Sequence, residues 1–138
     1  MGEGTESRRQ FIGKASLGIG SAWLAANWPA ILAAQEHAKH TAQSGRPAKF
    51  EFFTPEQARE VEAVAAQIIP SDGTPGAREA GAVYFIDRAL STFDSDKQKP
   101  YADGLAELSA KLKEFYPGAE GFAAATSLPA TAKCTGHA

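Results

Sequence analysis

A single cysteine, Cys134, leaves the chain unable to form an internal disulfide, and one thiolate cannot complete a zinc or iron–sulfur site. Histidine is nearly as scarce. His37 and His40 fall in a polar stretch and His137 near the end, so no Ser-His-Asp or Cys-His constellation forms on an ordered core. An excess of one charge is missing as well: 14 Lys and Arg stand against 16 Asp and Glu. A formal balance of −2 lacks the clustered basic face that nucleic acid requires, which excludes that partner. A Gly-rich phosphate loop is also absent, since Gly18-Ile19-Gly20 has no strand-to-helix context around it. At 138 residues and 43% hydrophobic content, the chain holds one small domain with extensions.

What is present begins with an address. Residues 1–34 contain paired arginines, Phe11-Ile12 and then an uncharged run from Ala15 to Gln35. Ser7-Arg8-Arg9-Gln10-Phe11-Ile12 resembles the twin-arginine (Tat) translocation signal, with Gly13 where a Lys is common and Lys14 supplying the charge. That resemblance implies recognition by the Tat translocase and delivery to the periplasm. The run matches the roughly 20 residues of a bilayer span. Pro29, Asn27 and the glycines argue against a span. The best small-residue cleavage site is Leu32-Ala33-Ala34, with retention as a membrane-associated tail as the alternative. Residues 35–49 turn polar without apolar periodicity and read as a linker, in which His37 and His40 are solvated.

The ordered domain is expected over residues 50–124. Thr54 is a helix N-cap, Pro55 suits the first helical position, Gln57 completes a capping box, and Phe53 stands at the staple position before the cap. Ala58, Val61, Ala65 and Ile68 then share one stripe, and Pro70 stops the helix. Asp72-Gly73 and Pro75-Gly76 are turn dipeptides, so the chain reverses before a second helix opens at Ala77. In that helix Val83, Phe85, Ile86, Leu90 and Phe93 form a face too wide for one neighbour to cover, and it is expected to meet a partner. A third helix carries Tyr101, Leu105, Leu108, Leu112 and Phe115 inward and a Glu107–Lys111 pair outward. The fold class is therefore all-α, a bundle of about three helices after the signal helix, with residues 125–138 as a disordered tail. Cys134 and His137 in that tail read as inert.

Asp72, Glu79 and Asp87 are the one acidic group near the hairpin turn with catalytic potential. Capping explains them better: Asp72 heads a turn and Glu79 is placed in a first helical turn, where the dipole favours negative charge. The chain is read as non-catalytic, with no cofactor or metal of its own.

The stretch Ile68-Ile69-Pro70-Ser71-Asp72, followed by Pro75-Gly76-Ala77, Ala80-Gly81 and Phe85-Ile86-Asp87, resembles the gluconate 2-dehydrogenase subunit 3 family. Its motif positions are Pro70, Asp72, Pro75, Gly76, Gly81 and Asp87. The resemblance implies an all-helical small subunit beside a large flavoprotein of the glucose-methanol-choline type, with FAD and substrate chemistry on the large chain and often a cytochrome c subunit as electron acceptor. It further implies that the small subunit carries the folded large one across the membrane. Relatives of that kind continue with further helices where this chain runs into ATSLPATAKCTGHA, so a shortened product is expected. A free-standing exported helical module that binds a ligand or the envelope is the alternative.

Overall fold

Thr54 and Gln57 close the capping box that their spacing predicts: the Gln57 amide donates to Thr54 Oγ1 at 3.2 Å and the Thr54 amide to Gln57 Oε1 at 3.0 Å. In a computed structural model that describes residues 8–46 and 49–127, this cap opens the second of five α-helices. They are α1 (Arg8–Ser44), α2 (Pro55–Ile68), α3 (Ala82–Ser91), α4 (Gln98–Phe115) and α5 (Phe122–Ser127), with a 3-10 turn at Ser95–Lys97 ahead of α4. Among the described residues there is no strand, and the chain is all-α. Phe53 and Ala58, the staple pair, lie in one buried cluster with Val61, Val83 and Leu90, which ties α2 to α3.

Four expectations change. Residues 35–44 are not linker but the last turns of α1, which runs through to Ser44. Ala34 and Ala38, one turn apart, are buried, while Pro29, which lacks an amide donor, is exposed. Small side chains at that spacing let α1 lie along α3, the broadest helix–helix contact in the described molecule. Second, α3 opens at Ala82 rather than at Ala77, because Gly81 is left-handed at φ +68° and residues 77–81 form a turn. Third, residues 125–127 are the end of α5, not tail; residues 128–138, with Cys134 and His137, lie outside the described residues. Last, Lys111 pairs with Glu114 at 2.9 Å rather than with Glu107.

Helix α5 docks on α2 by an unforeseen contact. The Glu60 carboxylate accepts from the Phe122 amide at 2.6 Å and the Ala123 amide at 3.4 Å, capping a helix 62 residues away in sequence. Gly121 allows the approach, since a Cβ there would meet the same carboxylate. Helix α4 forms as its periodicity predicts, yet only Leu112 is buried; Leu105 and Leu108 are half-buried, and Tyr101 and Phe115 are exposed. Its apolar face is largely uncovered.

Candidate functional site

Asp87 is the single charged residue buried among the described residues, at 4% exposure, and backbone surrounds it. The Glu51 amide donates to Asp87 Oδ2 at 2.8 Å, and the Phe52 and Phe53 amides donate to Oδ1 at 3.0 and 2.9 Å. Three consecutive amides on one carboxylate satisfy its desolvated charge and fix the segment leading into α2 against α3. The Arg88 guanidinium, paired with the Glu51 carboxylate, and the Phe50–Tyr84 ring stack at 5.6 Å close the same joint from outside.

The turn between α2 and α3 is held in the same manner. Glu79 accepts from Ser71 Oγ at 2.6 Å and from the Gly76 amide at 2.9 Å. The Ser71 hydroxyl first, and then backbone amides, hold the Glu79 carboxyl below the usual carboxylate range. The Ala77 amide returns to the Ile69 carbonyl at 2.9 Å, and a Cβ on Gly76 would stand 2.7 Å from that same carbonyl oxygen, so only glycine fits. Asp72 is exposed and accepts from Thr74 Oγ1 at 3.3 Å; Pro70 and Pro75 are exposed turn residues. Asp72, Glu79 and Asp87 are each engaged by a separate set of donors: Thr74, the Ser71–Gly76 turn, and the amides of Glu51 to Phe53. Pro70, Asp72, Pro75, Gly76, Gly81 and Asp87 shape the connection and the joint, and none lines the groove between α2 and α4.

The wide face of α3 is divided. Val83 and Leu90 belong to this chain's own core at 4% and 1% exposure and are not available to another chain. Phe93 meets Trp23 of α1 edge-on at 6.0 Å and Phe85 at 6.4 Å, so α1 covers one flank of α3 from within the chain. Periodicity cannot see this cover, since α1 looks like an address rather than a neighbour. Ile86 stands between two openings, a cleft of about 580 Å³ against α1 and a groove of about 420 Å³ between α2 and α4. Val61, Ala65 and Ile68 of α2 form one wall, and Tyr101, Leu105 and Leu108 of α4 the other. Ile68 and Ile69 at the mouth are 73% and 59% exposed. Gly104, an exposed α4 residue of the same lining, has no atom within 4 Å of where a Cβ would stand. The stripe spacing on α2 and α4 announces these residues, but not that the two stripes stand apart. Two apolar walls of helical pitch accept a third helix.

Of the residues expected to form an export signal, Ser7 lies outside the described residues, and for Arg8, Arg9, Phe11, Ile12 and Lys14 only helical backbone is described. Among the described residues no group of three or more His, Cys, Asp and Glu could hold a metal, and no helix is long and apolar enough to cross a membrane.

Buried carboxylate, turn glycines and open groove together define an all-α module whose ordered acidic groups hold its own backbone, while apolar surface stays open in the groove and at Trp23, Leu24, Trp28 and Leu32 of α1. Residues 55–129, more than half of the chain, match the family model for gluconate 2-dehydrogenase subunit 3, and the chain belongs to that family. The matched region starts at Pro55, so α1 and the Asp87-bound segment precede it. No curated protein and no solved structure matches the chain.

Proposed function

We propose that this chain is the non-catalytic small subunit of a periplasmic, flavin-dependent sugar or alcohol dehydrogenase of the glucose-methanol-choline type, and that it assists export and assembly of the large subunit. The observation that carries the reading is the family match over residues 55–129. FAD and substrate then belong to the large chain, with a cytochrome c subunit as electron acceptor. Arg8 and Arg9 supply the Tat signal for both proteins. Phe85, Ile86 and Phe93 of the α3 face are half-buried, and the groove between α2 and α4 is the surface that receives a helix of the large subunit.

Co-expression with a signal-less large flavoprotein tests this. The two chains should purify together with FAD at one per complex, and dehydrogenase activity should appear in the periplasm. Changing Arg8 and Arg9 to Lys should hold both chains in the cytoplasm. Stoichiometric flavin on this chain alone, or periplasmic activity without it, would overturn the reading. At the groove, Leu108→Asp removes roughly 1.5–3 kcal/mol of apolar burial in the complex. Tenfold or more is then lost in affinity, at about tenfold per 1.4 kcal/mol, while the free chain stays helical by circular dichroism.

A further inference from the structure

The leader and the domain are not separate pieces. We propose that the stretch from Trp23 to Ala42 is a permanent element of the folded subunit, so that proteolytic processing during export falls upstream of Trp23 and not at Leu32-Ala33-Ala34. Several contacts carry this. Ala34 is fully buried and Ala38 nearly so, both within a helix that continues unbroken to Ser44. A Cβ placed on Gly81, whose φ is +68°, would stand 3.0 Å from Ala42 Cβ and 3.1 Å from the Ala38 carbonyl oxygen. The start of α3 is thus fitted to α1 at the backbone. Trp23, 45% exposed, meets Phe93 edge-on at the far end of the seam.

A signal protease takes its substrate extended, so cutting after Ala34 requires α1 to unwind and leave α3. The cut would also detach Trp23 and uncover Phe85 and Phe93 on a domain that has little core to spare. The inference goes beyond the proposed role, and only its first test rests on export.

Intact mass of the protein from the periplasm should begin upstream of Trp23; a folded periplasmic form beginning at Gln35, or anywhere from Trp23 to Ala42, overturns the proposal. Hydrogen exchange on the purified full chain is the second test and needs no export. Amides from Ala30 to Ala42 should be protected alongside those of α3, and complete early exchange across them overturns the proposal even where the mass agrees. A chain beginning at Gln35 should melt about 10 °C or more below the full chain; an unchanged midpoint counts against the proposal in the same way. If no protein reaches the periplasm, the export reading fails, and exchange and melting still decide this one.

Discussion

Two apolar seams run through the molecule: one brings its helix backbones into contact over part of its length, and the other stands apart. Between α1 and α3 the contact is built from Ala34, Ala38, Ala42 and Gly81, residues small enough for the backbones to approach, with Trp23 and Phe93 at the end and a cleft of about 580 Å³ beside Ile31, Phe85 and Ile86. Between α2 and α4 the facing residues are larger, Ile68, Tyr101, Leu105 and Leu108, and they leave a groove of about 420 Å³. A strong stripe therefore says that a helix has something to cover, not that its own chain covers it. The weakly patterned helix is the one whose backbone touches its neighbour here, at Ala38 and Ala42, and the plainly amphipathic one stands apart.

The largest effect expected is at the joint between α3 and the segment that enters α2. Asp87→Ala strips the acceptor from the amides of Glu51, Phe52 and Phe53, leaving donors without partners beside the core, and should cost about 3–5 kcal/mol in denaturant unfolding. Gly81→Ala comes next. Its left-handed backbone and its contacts with α1 put the cost at about 1–3 kcal/mol, and exchange in α1 should accelerate with it. The same change in the open seam should reverse the sign: Gly104→Ala meets nothing within 4 Å and removes a helix-interior glycine, for a gain of about 0.5–1 kcal/mol. Equal signs for the two glycines in thermal melts would erase the contrast between the seams.

The smallest effect is one of pH. Because the Ser71 hydroxyl and neighbouring amides lower the Glu79 pKa, its contribution is complete above the ordinary Glu value. It is lost as pH falls through the lower folded value. The Gly76 amide resonance should follow that acid transition in an NMR titration, and Glu79→Gln should remove the transition.

Where the sequence spoke, it spoke through local chemistry. Thr54, Pro55 and Gln57 mark the start of α2, and Pro70 marks its stop, because caps and breakers act within a turn of themselves. Asp87 stood out as a motif residue but its role did not, since its partners are backbone amides 34 to 36 residues away that no side-chain identity displays. Ala34 and Ala38 were nearly as quiet, because alanine reads as neutral where a leucine would have shown a stripe. Ile68 and Leu108 of the groove were visible as apolar residues. Their separation was not, because it depends on where α5 and the 3-10 turn place α4.

The Glu60 cap on α5 sets an order in time. Its amides lie 62 and 63 residues downstream, whereas the joint at Asp87 closes over separations of 34 to 36. Closing a loop of nearly twice the length costs only about 0.6 kcal/mol more in chain entropy, so thermodynamics hardly ranks the two. Synthesis ranks them instead: at roughly 5–20 residues per second, the stretch from Asp87 to Phe122 takes seconds to emerge from the ribosome. Through that interval α2 and α3 can already be joined while Glu60 waits in water for the helix it will cap. Helix α5 is a latch added to a hairpin already shut.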